Sequence, residues 1–270
     1  MKKTVFIALL IIANIPVQGQ VRFGLKGGMN VSGFNISTKQ DLVVDFSNRF
    51  AFHVGGFAEI PVGGFFSVQP ELLFSSKGAR CEILNTYTYP PVYGRSDDIY
   101  RMRYVYHPGY IELPVYLKAG FEAGQGKFMV GIGPYFAYGV GGKLKANMKI
   151  NTSLSETFPP EKLGEKLIAV GKGERYLFKA DQLKMDVTQI DLYLNISNMT
   201  EEDLFDKNLL VCSSLKRFDA GFVGFIGYEF DSGFSLTAGY QIGFNNINNS
   251  DENDDNIKNR TISLSVGYKF

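Results

Sequence analysis

Apolar and polar residues alternate with a period of two in eight separate segments of this chain, and no other feature restricts its fold as much. Successive side chains of a β-strand point to opposite faces, so such a segment reads as a strand with one apolar and one polar face. In the first segment Val21, Phe23, Leu25, Met29 and Val31 share one face, and Arg22, Gly24, Lys26, Gly28 and Asn30 the other. In the second, Phe50, Phe52, Val54, Ala58 and Ile60 oppose His53, Gly55, Phe57 and Glu59. The third sets Phe66, Val68, Leu72 and Phe74 against Ser67, Gln69, Glu71 and Ser75. The fourth sets Ile111, Leu113, Val115 and Leu117 against Tyr110, Glu112, Tyr116 and Lys118. The fifth runs from Phe128 to Val140, with Gly131, Gly133, Tyr135 and Gly139 on its polar side. The last three run Phe218–Phe230, Phe234–Phe244 and Ile262–Phe270, with Asp219 and Glu229, Gln241, and Lys269 on their polar faces.

Alternation alone also suits a soluble β-sandwich. Three observations favour a barrel that crosses a membrane. Segment lengths cluster near eleven residues, the length of a tilted spanning strand. The connections alternate between short (Pro61–Gly64, Glu122–Gly126, Asp231–Gly233) and long (Asn35–Arg49, Lys77–His107, Gly142–Lys216, Asn246–Asn259). Short turns at one end and long loops at the other are the habit of outer-membrane barrels. The polar faces carry Gly, Ser, Thr and charges of both signs, as the packed interior of a small barrel requires. The expected fold is therefore all-β: a transmembrane antiparallel up-and-down barrel of about eight strands. Pro70, Pro114 and Pro134 stand inside strands, donate no ladder hydrogen bond, and mark candidate bulges.

The first nineteen residues read as a cleaved export signal. Lys2 and Lys3 precede the apolar run Val5–Ile15, and Val17-Gln18-Gly19 ends it. The run is too short to span a bilayer as a helix. Residues 20–270 then form the barrel, with 142–216 as a large outer loop or cap between predicted strands five and six. That stretch is too long to be structureless by default. Thr200-Glu201-Glu202-Asp203 resembles a helix capping box, and Asp186–Ile196 reads as a further strand, which would allow ten strands. The alternation of predicted strand five continues through Leu144, Ala146, Met148 and Ile150, so that hairpin projects beyond the bilayer. Composition agrees: 30 Gly, 23 Phe and 15 Tyr suit tight turns and aromatic girdles. Without Lys2 and Lys3 the chain carries 26 basic against 27 acidic residues, which leaves no electrostatic footprint for nucleic acid.

Three segments carry a family resemblance. The opening Gln20-Val21-Arg22-Phe23-Gly24-Leu25-Lys26-Gly27-Gly28-Met29-Asn30, the middle Ile111-Glu112-Leu113-Pro114-Val115-Tyr116-Leu117-Lys118 and the closing Ser263–Phe270 resemble, in order and spacing, the Bacteroidota outer-membrane β-barrel or PorT-like family. The resemblance covers most of the chain outside 142–216. It implies an eight-stranded barrel in the bacterial outer membrane, and it implies no single biochemical function. A terminal aromatic, here Phe270, is also what the barrel-assembly machinery reads in such proteins.

Arg22, Lys26, Glu59, Glu71, Glu112, Lys118 and Glu229 are all expected to point into the barrel. A mutually neutralising ion-pair plug is the preferred reading over a proton or ion path, because buried charges are costly unless paired. His53 points inward with Glu59 six residues on, and His107 sits near the outer end of the fourth strand. A triad is recognised by geometry, so neither histidine is assigned to catalysis from sequence. The expectation is a non-enzymatic barrel presenting loops for binding, adhesion or envelope assembly. A narrow porin-like pore and a lipid- or peptide-processing enzyme stand as alternatives. No cofactor and no metal ligand set is expected: the acidic run Asp251, Glu252, Asp254 and Asp255 lacks calcium-loop spacing. Tyr87, Tyr89, Tyr93, Tyr100, Arg101 and Arg103 form a candidate patch for an envelope protein or glycan, or else an aromatic girdle. Outer-membrane lipid is the remaining expected partner. A disulfide between Cys81 and Cys212 is allowed by an oxidising compartment and left open by unknown geometry.

Overall fold

A computed structural model describes residues 20–37, 44–87, 98–152, 167–177, 184–189, 215–249 and 256–270. All its regular structure is antiparallel strand, and no helix occurs among the described residues. The strands are β1 (Arg22–Ser37), β2 (Val44–Gly63), β3 (Phe66–Ser76), β4 (Ala79–Tyr87), β5 (Asp98–Glu122), β6 (Gly126–Thr152), β7 (Leu167–Tyr176), β8 (Lys184–Gln189), β9 (Phe218–Phe230), β10 (Phe234–Gly243) and β11 (Asn256–Lys269).

The sheet closes on itself. β1 pairs with both β2 and β11, β11 with β10, β10 with β9, and β9 with the first half of β6. β6 pairs with β5, and β5 returns to β2 through β3 and β4. β3 and β4 share both neighbours and lie end to end across Lys77 and Gly78, so the ring has nine strands in eight positions. Closure leaves no unpaired ladder to face lipid, where an unpaired backbone group has no water to turn to. β7 and β8 stand outside the ring, on the outer half of β6, so the further strand read near Asp186 does not enlarge the barrel to ten.

The described ends at Gln20 and Phe270 and the tight turns at Gly63-Gly64, Gly124 and Gly233 lie at one end, which faces the periplasm. These glycines hold φ between +58° and +134°, a region that side chains disfavour. At the other end β5 and β6, of 25 and 27 residues, run to more than twice the length that spans a bilayer.

Outward-facing side chains form an apolar band on every position of the ring: Leu25, Phe52, Leu72, Leu113, Ile132, Ile226, Leu236 and Leu264 are all exposed by more than 40%. Aromatic rings edge the band. At the periplasmic edge Phe65 lies 5.2 Å from Phe121, and Phe234 lies 4.9 Å from Tyr268. At the outer edge Phe52 lies 5.9 Å from Phe74, and Phe222 lies 5.5 Å from Phe244. Ladder pairing is interrupted beside Pro70, Pro114 and Pro134 without a change of register, so these prolines mark gaps rather than bulges.

Candidate functional site

The inward faces meet as a layered plug. Nearest the periplasm, Lys118 and Lys269 lie between Glu59 and Glu229. Lys118 Nζ stands 2.5 Å from Glu59 and 3.4 Å from Glu229. Lys269 bonds Glu229 and lies 3.3 Å from Glu59. Gln69 links this layer to the next: it accepts from Lys118 at 3.2 Å and donates to Glu71 at 2.8 Å. Glu71 receives Lys26 at 3.0 Å, and the ammonium also lies 5.6 Å from the rings of Tyr116 and Phe225. These charges come from six different strands, so each pair staples one wall of the barrel to another.

The outer layer centres on Lys77, which the sequence reading leaves in a connection. It follows Ser75 on the inward face of β3, at the break before β4, and its side chain is fully buried. Its ammonium forms an ion pair with Glu112, lies 3.6 Å from Asp219, and lies 5.4 and 4.7 Å from the rings of Tyr110 and Tyr135. Tyr135 and Asn259 donate to Asp219 at 3.0 and 2.9 Å, and Gln241 donates to Glu112 at 3.1 Å. Gly78 follows with φ +122°, and a Cβ there would stand 2.1 Å from the Tyr106 carbonyl oxygen. Four lysines and five carboxylates thus share the interior of the described barrel.

Of the seven expected interior charges, Glu59, Glu71, Glu112 and Lys118 are buried and Lys26 and Glu229 are nearly so. Arg22 departs from that expectation. It lies in register with Glu59 but is exposed, at the periplasmic mouth, because the strand begins there and the wall ends. Asp219 and Lys269 already stood on polar faces by alternation, so their period-two position was the available signal. Lys77 continues the odd-numbered inward face of Ser67, Gln69, Glu71 and Ser75, but it lies just past the end of the strand read from the sequence.

Inward glycines make room for inward rings. Gly24 faces Phe57, Gly131 faces Phe225, and Gly221 faces Tyr135 directly across the ladder. A Cβ on Gly131 would meet the Phe225 ring at 2.3 Å. The rings fill the lumen: Tyr110, Tyr116, Tyr135 and Phe225 belong to one buried cluster with Met129. The gap left among Lys26, Gln69, Lys118 and Met129 holds about 20 Å³, the space of one water. A wider vestibule of about 490 Å³ opens at the periplasmic mouth, beside Arg22, Glu229 and Lys269.

His53 is not paired with Glu59. Its Nδ1 lies 2.8 Å from Asn30 Oδ1 and its Nε2 lies 2.9 Å from Ser265 Oγ. Asn30 in turn donates to Ser75 at 3.1 Å. Ser265, His53 and Asn30 therefore stand in the order of a nucleophile, base and orienter, yet all three are buried under 10% exposed. Neither of the cavities just described is lined by any of them.

Above the bilayer the two faces exchange character. On β6 the residues at Val140 and Gly141 both face out, and the register against β5 slips between Gly109 and Tyr110. The expected unbroken alternation through Leu144 and Ala146 is thus corrected: the bulge reverses parity and buries both. They join Phe34, Cys81, Tyr104, Tyr106 and Ile257 in an apolar interior above the charged one. Phe34 packs edge-on against Tyr106 at 5.5 Å. The outward face there carries Arg101, Arg103, Lys143 and Lys145, all exposed. Inside a membrane the outside must be apolar; in water the inside must be, and the strands switch between the two. Backbone bonds from Leu177 to Gly142, Leu215 to Leu177, and Ile247 to Ile257 carry the wall round above the shorter strands.

Within the expected partner patch, Arg101 and Arg103 are exposed and bind Glu82 at 3.4 and 3.0 Å. Tyr87 and Tyr100 lie on β4 and β5, while Tyr89 and Tyr93 fall outside the described residues. Cys81 is buried, and Cys212 lies outside the described residues, as do residues 1–19, Thr200–Leu210 and the acidic run at 251–255. The expected outer segment 142–216 contributes the outer end of β6 together with β7 and β8.

The family model described as "Outer membrane protein beta-barrel domain" matches residues 14–249. Among solved structures, the chain is similar to Neisserial surface protein A, with 11% identity, 93% of this chain and 100% of that chain covered, and a TM-score of 0.32. It is similar also to Ail, the attachment invasion locus protein of Yersinia pestis, with 10% identity, 93% and 100% covered, and a TM-score of 0.31. The translocator domain of autotransporter NalP from Neisseria meningitidis matches with 10% identity, 100% and 95% covered, and a TM-score of 0.26. No curated protein sequence matches the chain.

Proposed function

The chain belongs to the outer membrane protein β-barrel domain family and resides in the bacterial outer membrane, and from that premise we propose that it is a non-enzymatic barrel presenting an outer sheet for binding, adhesion or envelope assembly. Within the family we assign it to the PorT-like, Bacteroidota group, on the three motifs quoted above. The observation that carries the functional reading is the contrast between the two halves of the molecule. The lumen is filled by ion pairs and rings, with a gap of about 20 Å³ beside Lys26 and Lys118, while β5 and β6 hold an exposed sheet well beyond the bilayer. A filled lumen speaks for an anchor and against a conduit. Arg101 and Arg103 at the expected patch suit a polar protein or glycan partner.

Replacing residues 153–214 by a short Gly/Ser linker tests this. The barrel is expected to keep its gel shift on boiling while an envelope partner captured by the intact protein is lost. An unchanged partner set overturns the reading. The enzymatic alternative is weakened by the burial of the Ser265–His53–Asn30 chain, which gives a substrate no approach. A lipid- or peptide-hydrolysing activity that vanishes in His53→Ala while the barrel stays folded would restore it.

A further inference from the structure

We propose that the cations just above the apolar band form a binding rim for phosphate groups of outer-leaflet lipid. This rests on the barrel's place in the outer membrane and not on the role of its outer sheet. The exchange of faces locates the outer edge of the hydrocarbon strand by strand. On β6 the exposed Tyr138 and Val140 are followed by the exposed Lys143 and Lys145. On β11 the lipid-facing Ile262 is preceded on the same face by Arg260 and Lys258. At the start of β9 Arg217 adjoins Phe218, and on β4 Arg80 is the first exposed residue beyond Phe74. Cations on β4, β6 and β11, and one just before β9, thus follow the last lipid-facing residues of the band, where headgroups begin.

Two further observations point to an anionic lipid rather than to chance basicity. The Arg217 guanidinium lies 6.0 Å from the ring of Tyr138, which is 54% exposed in the aromatic girdle, so one charge rests directly on the edge of the lipid-facing surface. The opposite edge has no matching rim: its described outward charges include Lys127, 3.6 Å from Glu122, and the exposed Asp231. Glu82, the nearest described acid on β4, is engaged by Arg101 and Arg103 farther out. Guanidinium and ammonium groups grip phosphate oxygens by charge-assisted hydrogen bonds, and each basic residue near such a surface adds roughly fivefold to binding.

The test uses the full mature chain folded in neutral detergent. It is titrated with mixed micelles carrying a bisphosphorylated glycolipid, or the same lipid dephosphorylated. The wild type is expected to prefer the phosphorylated lipid at least tenfold. The combined variant Lys143→Gln, Lys145→Gln, Arg217→Gln, Arg260→Gln is expected to lose that preference, while Lys127→Gln at the periplasmic edge keeps it. Should the combined variant fail to shift on boiling, Lys145→Gln and Arg260→Gln singly are each expected to weaken binding at least threefold. Equal affinity for the two lipids, or unchanged affinity in the variants, overturns the proposal. So does equally tight binding of a soluble sulfated polysaccharide that competes with the micelles, which would assign the rim to a soluble polyanion. Removal of 153–214 is expected to leave the lipid preference intact, which separates this result from that of the outer-sheet reading.

Discussion

Each buried lysine of the plug is held by carboxylates from other strands, and removing one partner strands the rest. Lys77→Met leaves Glu112 and Asp219 without their cation. We expect a loss of about 3–5 kcal/mol, read as a lower urea midpoint for the folded, heat-modifiable form. Adding Glu112→Gln to Lys77→Met should recover much of that loss, since the uncompensated charge is the costly element. The glycine–ring pairs invite the converse test. Gly131→Val drives a side chain into the Phe225 ring and should cost about 1–3 kcal/mol. Phe225→Ala in the same chain should relieve the clash, so that the two losses sum to more than the double variant shows. Additive losses would mean that the ring and the glycine do not depend on each other.

At the scale of elements, one bulge decides which face of the outer hairpin is apolar. Val140 is the extra residue on β6, and beyond it Leu144 and Ala146 turn inward while Lys143 and Lys145 turn out. Because the strand period is two, deleting Val140 should reverse both sets, placing lysines in the apolar interior and leucine in water. The variant is expected to lose the outer hairpin's protection from protease while the membrane part still shifts on boiling; retained protection would mean that the register heals elsewhere. The junction at Lys77-Gly78 is a second irregularity: the register against β2 slips there by one residue while that against β5 holds and the faces are kept. It splits one ring position into β3 and β4.

For the whole molecule, the prediction concerns conduction. A lumen closed by three ion-pair layers and a cluster of rings should be silent in planar bilayers. Lys118→Ala, which removes the cation shared by Glu59 and Glu229, should leave it silent as well, because the outer layer around Lys77 seals the lumen independently. Steady unitary steps from the unaltered protein would refute the anchor reading and support the pore.

The eight apolar-out segments, the inward place of Lys26, Glu59, Glu71, Glu112 and Lys118, and the long outer hairpin could all be read from the chain, because alternation is local and each strand declares its two faces within its own residues. The glycines and rings on the polar faces were visible too, though not as pairs. What only the tertiary structure decided is non-local: which carboxylate meets which lysine, that Gly131 lies opposite Phe225, that His53 turns to Asn30 and Ser265 instead of Glu59, and that β7 and β8 stay outside the ring. Those outcomes follow from register between strands far apart in sequence, where a slip of one residue reverses every face. Two places departed from the reading for different reasons: past Val140 a period of two carries no information across an inserted residue, whereas Lys77 keeps the inward face of β3 and simply lies beyond that strand's expected end.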